Sequence, residues 1–494
     1  MKVLVLTLVL FPFLFPSAWT VINVKAQGGA LFTVNHAGDT NDANVGDGVC
    51  ADSTGKCTLR AAIQEANNDN YLDGINFALP LLSTIELTLG ELNVASKTRV
   101  VGPGARNLTI QRSTAAATPN FRVFNLDEDI VLRGLTIKNG NVPDGDGGGI
   151  RVRPGSIVTL SDIVVTGNSA NRGGGIFNSG GLTLRRSLVN ANTAVTNGDI
   201  NGSGGGLFND EPFGSADVVN STMTENTAIA GGSIYNRGRG LFLINATISH
   251  NNAVNFGCSV VNAANGTATF LNTIVGMDNS LTISSLSGAF NSLGNNLITD
   301  ARNSTGFAHG VNNDQVSNNN AINPLLGNLI DNGGQTDTRA LLDGSPAINT
   351  GNNCVYYGNC PQPIPPDYYL TSDQRINRLR LGGNAVDVGA YEYQTFAVSG
   401  SFTFGVFTTS NRSGGTLVIL TKASTNEKRA RITNPFGNFS FNDLAFGEVY
   451  FLERKPKRIG QLTGLGVFAF DGPPPGPQTA FTLERDGMKI IVEK

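Results

Sequence analysis

The sequence predicts an all-β protein whose body is a right-handed parallel β-helix, and three observations carry that prediction. One phrase recurs between residues 120 and 280: Gly148-Gly149-Ile150, Gly174-Gly175-Ile176, Gly205-Gly206-Leu207, Gly232-Ser233-Ile234 and Cys258-Ser259-Val260, with final residues 26, 31, 27 and 26 apart. Each of the first four is followed by an alternating apolar run, at 158–165, 182–189, 218–223 and 241–248, and then by an asparagine at a matching position: Asn168, Asn192, Asn226 and Asn251. Composition agrees, with 61 glycines in 494 residues, only 15% charged side chains and 40% hydrophobic ones, enough for a core. A chain of this length exceeds one compact core, so several domains or a repeat are expected. A period near 26 residues without helical spacing is one turn of a parallel β-helix with two or three strands.

In such a coil, strands of successive turns stack about 4.8 Å apart and alternating Ile, Leu, Val and Phe fill the interior. Glycine supplies positive φ at the corners, and Asn168, Asn192, Asn226 and Asn251 can stack as an amide ladder. The 31-residue interval reads as a surface insertion at 196–203. Continued over about residues 76 to 345, the coil would have about ten turns and be roughly 50 Å long. An open coil end needs a cap. Residues 58–67 form the clearest amphipathic helix, with Leu59, Ala62, Ile63 and Ala66 on one face and Thr58 as N-cap, placed to plug the first turn.

The beginning of the chain reads as a secretory signal. Lys2 precedes an apolar run at 3–15 that is short for a membrane span, and Val24-Lys25-Ala26 offers a cleavage site before Gln27. Pro12 and Pro16 interrupt that run, which argues against an uncleaved anchor. A secreted, extracellular or cell-surface location follows, with no transmembrane segment expected in the mature chain. Five cysteines suit an oxidising compartment: Cys50 with Cys57 and Cys354 with Cys360 are close enough for local disulfides, leaving Cys258 as a packed corner thiol.

Phe32-Thr-Val-Asn35, Gly46-Asp-Gly-Val-Cys50 and Cys57-Thr-Leu-Arg-Ala-Ala-Ile-Gln-Glu-Ala-Asn67 resemble the CSLREA motif near the start of many exported bacterial β-helix proteins. The family's capping-box Glu is replaced by Ala61. Asn323-Pro-Leu-Leu-Gly327, Asp331-Asn-Gly-Gly-Gln335, Gly344-Ser-Pro-Ala-Ile-Asn349, Asp373-Gln-Arg375 and Val386-Asp-Val-Gly-Ala-Tyr-Glu392 resemble the choice-of-anchor Q domain that ends such β-helices. After Gln394, short alternating strands with Asn434-Pro-Phe-Gly437 and Gly447-Glu-Val-Tyr450 look like a carboxypeptidase regulatory-like (transthyretin-like, Ig-like) β-sandwich. The resulting organisation is a signal peptide at 1–26, an N-terminal cap at 27–75, the parallel β-helix at 76–320, its choice-of-anchor Q-like end at 321–394 and the sandwich at 395–494. These resemblances imply a fold and an address, not a reaction.

The net charge of −3 and the absence of a dense Lys/Arg cluster exclude a nucleic-acid footprint and a polybasic membrane patch. Pectate-lyase-like solenoids include enzymes that cut acidic polysaccharides, so a lyase or glycoside hydrolase is the alternative to weigh. A hydrolase needs carboxylates projecting together, and of a polygalacturonase-like grouping only Ala308-His309-Gly310 is present. A lyase needs a basic residue and often calcium held by acids. Asp127, Asp144 and Asp146 with Arg133, and Arg151 and Arg153 nearby, are the enzyme candidates, although corner-loop residues on a solvated face are the favoured explanation of them. The Asx-rich stretch 39–48 lacks EF-hand register, and His36 and His250 have no nucleophile to serve. The expectation is therefore no catalytic residue and no cofactor, with calcium the one ion the acids could take. The role expected is binding, adhesive or envelope-structural, toward a polysaccharide or cell-surface component.

Overall fold

The computed structural model describes residues 29–195, 202–278, 282–361, 369–376 and 378–393, and beyond them the strands between 395 and 490. The expected signal segment 1–26, most of the expected 196–203 insertion and the proline-rich stretch 471–477 lie outside the described residues. The body is a parallel β-helix. One turn in its middle runs through Ile176–Asn178, Gly181–Arg185, Leu188–Asn190 and Thr193–Ala194. Each strand pairs in register with its counterparts in the neighbouring turns, giving a first sheet of nine strands, a second and third of ten, and a fourth of five. Nine spacings of about 4.8 Å make each ten-stranded sheet roughly 43 Å deep.

The middle turns thus carry four strands where sequence spacing predicts two or three. Each apolar run breaks in two at a left-handed residue, Asp162, Arg186, Asn220, Asn245 or Asn272, with φ between 45° and 56°. A second left-handed row, Ala191, Glu225 and His250, separates the third and fourth sheets, and Met277 continues it after the last fourth-sheet strand. Glycine appears once in each of these two rows, at Gly134 and Gly167, and holds the third corner throughout, at Gly147, Gly173, Gly204, Gly231 and Gly257. The glycine after it is needed for a different reason. A Cβ at Gly174 would sit 2.4 Å from the Thr193 carbonyl oxygen and 2.7 Å from that of Gly205 in the next turn. Cys258 takes the equivalent place where the fourth sheet has ended with Asn252–Phe256, and its thiol is buried and unbridged.

Inside, one continuous hydrophobic core runs from Phe32 to Ala301. The expected amide ladder is there: Asn168 Nδ2 donates to Asn192 Oδ1 at 3.0 Å, Asn192 to Asn226 at 3.0 Å, and Asn226 to Asn251 at 3.1 Å. Each Oδ1 also takes the backbone N–H of the preceding ladder residue. A parallel sheet has no other partner for these corner groups, so the side chains complete the backbone ledger.

The first coil strand, Leu31–Val34, lies ahead of the cap and pairs with Asp73–Phe77. Between them, the helix Leu59–Ala66 closes the coil end, with Leu59, Ala62, Ile63 and Ala66 at most 2% exposed. Thr58 Oγ1 accepts from Ala61 N at 3.1 Å. The Cys50–Cys57 disulfide holds the approach, and Arg60 reaches the Asp39 carboxylate at 2.7 Å.

The coil's last paired strand is Gln315–Val316, short of residue 345. The described residues of 321–393 add no turn. A hairpin of Leu326–Ile330 with Thr338–Leu341 and the short helix Cys354–Tyr357, tied by the Cys354–Cys360 disulfide, instead lead a segment back along the coil's flank. Val355, Leu370 and Val386 cover Val219, Ile244 and Leu271, while Val388 and Tyr391 cover Ile274 and Leu297. The corner asparagines meet it: Asn220 Nδ2 donates to Ser372 O at 2.7 Å, and Asn272 exchanges two bonds with Asn352 at 3.0 and 2.7 Å. Beyond it, Thr395–Ser401, Asn438–Ala445 and Lys489–Ile490 form one sheet. Leu417–Lys422, Lys428–Ile432, Val449–Lys455 and Thr479–Thr482 form an antiparallel second, as expected for an Ig-like β domain.

Candidate binding face

The outward positions of the first sheet carry the chain's most distinctive chemistry. Asn125, Arg151, Phe177, Phe208 and Tyr235 stand opposite one another on consecutive strands. In-register parallel stacking makes identical positions into rows. The Phe177 and Phe208 rings are 5.5 Å apart and 8° from parallel, and those of Phe208 and Tyr235 are 5.2 Å and 4°. The fourth sheet supplies Asp146 and Arg172 beside them. The Arg172 guanidinium lies 4.9 Å over Phe177 and 5.3 Å over Phe208. It is held there by a two-pronged bond to Asp146, at 2.8 and 2.9 Å.

Carboxylates on this face have arginine partners. Arg122 Nη1 is 2.6 Å from Glu91, Arg153 is 3.7 Å from Asp127, and Arg237 lies 3.3 Å from Asp210 and also pairs with Glu211. Burial raises the Asp210 carboxyl, an effect opposed by Arg172 and Arg237. The Arg237 hydrogen bond lowers that of Glu211.

The proposed enzyme group does not assemble. Asp146 belongs to this face, and Asp144 is exposed on the same strand, Asn141–Asp146. Asp127 follows the end of the first sheet at the next corner, while Arg133 ends a second-sheet strand and pairs with Asp162 at 3.1 Å beside Arg186. The chain turns a corner between one short strand and the next, so neighbours in sequence point in different directions. Among the described residues no three His, Cys, Asp or Glu side chains are grouped to hold a metal ion. In the 39–48 stretch, Asp42 accepts from Asn44 N and Ala51 N at 2.8 and 2.9 Å, and Glu65 accepts from Gly46 N and Gly48 N at 2.7 and 2.8 Å. Those oxygens organise backbone. His36 Nδ1 accepts from Gly38 N and His309 Nδ1 from Val316 N. Burial, then Arg339, pushes His250 down to about 4.

Sequence reasoning passed over Phe177, Phe208, Tyr235, Arg172, Arg237 and Asp210. Their signal was the triplet Ile-Phe-Asn, Leu-Phe-Asn, Ile-Tyr-Asn after each glycine phrase, whose middle residue must point outward if its neighbours point in. The same triplet ends in a second, unforeseen amide ladder: Asn178 to Asn209 and Asn209 to Asn236 at 2.7 Å, then Asn236 to Asn262 at 2.6 Å.

A second charged cluster lies inside the flanking segment. Arg375 contacts the Asp373 carboxylate at 2.5 Å and stacks 3.8 Å from the centre of the Tyr391 ring, and Arg380 lies 3.8 Å from Glu392. Burial raises Asp387 to about 6 and Glu392 well above its ordinary value. Asp373, Arg375, Arg380, Asp387 and Glu392 are at most 1% exposed, so the cluster is scaffolding for the segment and no open site. No protein-family model matches the chain, and no curated protein matches it. Among the described residues no helix is long and apolar enough to cross a membrane.

Proposed function

We propose that the chain is an exported extracellular or cell-surface β-helix protein of the CSLREA and choice-of-anchor Q type, with a carboxypeptidase regulatory-like C-terminal domain, and that it binds extended polysaccharide along its first sheet. The observation that carries the binding role is the row in which the half-buried Arg151 and Tyr235 stand at either end of Phe177 and Phe208, which are buried beneath Arg172, with Arg237 beside them. Such a row matches a polymer laid along the rod and has no counterpart in a closed small-molecule pocket. A purely binding role is favoured because Asp127, Asp146 and Asp210 are engaged by arginines, whereas a general base must be poised to take a proton. The second reading, a polysaccharide lyase or glycoside hydrolase, draws on one observation, the raised carboxyl of Asp210 between two arginines.

A polysaccharide panel with and without calcium, scored for both retention and product release, tests the two. Retention without release is the expected outcome. Release of reducing or unsaturated ends, abolished in Asp210→Asn, would establish the enzymatic reading instead. Absence of retention on every polymer would remove the binding role.

A further inference from the structure

The geometry points to Arg151 as the acid-recognising position of this face, so that the polymer bound is an acidic polysaccharide whose carboxylate or sulfate group meets that guanidinium. This rests on the binding role proposed for the first sheet. Arg122, Arg172 and Arg237 each have a carboxylate partner on the face, and Arg153 has Asp127 at the adjoining corner. Arg151 has no ion pair among the described residues, although it lies in the same charged field. It is half-buried, and the nearby Glu91 and Asp146 carboxylates are taken by Arg122 and Arg172. Burial and the repulsion of Arg122 and Arg153 disfavour its charge. A partly desolvated guanidinium with no ion pair of its own, set between arginines and carboxylates that those arginines already engage, gains from an incoming anion, and its fork suits the two oxygens of a carboxylate or sulfate.

Phe177 stands next to it in register, then Phe208, then Tyr235, the member of the row with an accessible ring. Arg151 and Tyr235 are three strand spacings apart, about 14 Å. One sugar cannot reach both, whereas a chain of several can, placing an acid group at one end and a ring face at the other.

The test is affinity electrophoresis of the purified full chain in gels containing polygalacturonate, dextran sulfate or neutral dextran, with a free oligo(dT) titration alongside. The expected result is tighter retention by at least one acidic polymer than by dextran, weakened by salt. Arg151→Gln should lose about tenfold in that affinity, the loss of one charge-assisted contact, and Arg151→Lys should fall between the two. Arg99→Gln removes an exposed arginine from the second sheet and should change nothing. Preference for polygalacturonate assigns a carboxylate, and preference for dextran sulfate assigns a sulfate. Equal retention on dextran, an unaltered Arg151→Gln, an equal loss in Arg99→Gln, or tighter binding of oligo(dT) would each overturn the assignment while leaving a binding face. Failure of every polymer would overturn the binding role with it.

Discussion

Asn192 shows how much one side chain does in this coil. It is fully buried, its Oδ1 accepts from Asn168 N at 3.1 Å and Nδ2 at 3.0 Å, and its own Nδ2 serves Asn226 Oδ1 at 3.0 Å and Val165 O at 2.9 Å. Asn192→Ala strands several buried donors and acceptors at once, so it should cost about 3–5 kcal/mol in urea unfolding; a loss below about 1 kcal/mol would show that the ladder is dispensable. Where the ladder ends, Asp278 takes the backbone N–H of Asn251 at 3.0 Å. Burial raises its carboxyl to about 7, with Asp300 adding to the effect. An unfolded carboxyl titrates near 3.8, so between about pH 4 and 7 the folded state holds a proton that the unfolded state has released. The stability it contributes is complete below about pH 4 and is lost as pH rises to about 7. Asp278→Asn should therefore stabilise the protein more at pH 8 than at pH 5, and an equal shift at both would contradict the assignment. His250 runs the other way. Held neutral down to about 4, it contributes stability above about pH 6.5 that is lost on acidification, and His250→Asn should flatten that loss in the same titration.

At the scale of elements, the cap helix was readable because its apolar spacing and its Thr58 cap are local facts. Leu59 is fully buried against the first turns, and Leu59→Ala should cost about 2–5 kcal/mol in thermal or urea unfolding. Ala61 offers no carboxylate for a reciprocal capping box. Glu65, one turn along, binds Gly46 N and Gly48 N and so anchors the disulfide loop that a local box could not reach. The strands were legible as apolar runs, but their breaks were not. Asp162 and Arg186 occupy left-handed positions that their residue types do not announce, and glycine marks one corner consistently but the other two only at Gly134 and Gly167. The candidate face was hidden for a related reason. Asp127, Asp146 and Arg133 are close in sequence but belong to different corners, whereas Asp146, Asp210 and Arg237 converge only because turns of 26 to 31 residues stack in register.

At the scale of the whole molecule, the flanking segment is the largest departure from expectation. Its polar motifs read as the end of the rod, yet Gln374 reaches Ser187 O at 3.2 Å and Thr222 Oγ1 at 2.6 Å, and Arg339 binds Glu225 at 2.7 Å, several turns back from where the coil stops. It buries outward apolar side chains, Ile244, Leu271 and Ile274 among them, that would otherwise face water. A chain ending at residue 320 should consequently associate into higher-order species in light scattering and melt earlier than the full chain. A monomeric truncated rod with an unchanged melting temperature would show that the segment is not needed as cover.

By itself the sequence determined the period, the alternation that turns apolar side chains inward, the cap helix, the local disulfide spacings and the first amide ladder, because each depends on residues within one turn or on the same position in successive turns. Only the tertiary structure decided which outward residues stand side by side, which corners are left-handed without glycine, and where residues 321–393 lie. Those depend on the register between turns and on a surface that does not exist until the coil has formed, and no local pattern encodes either.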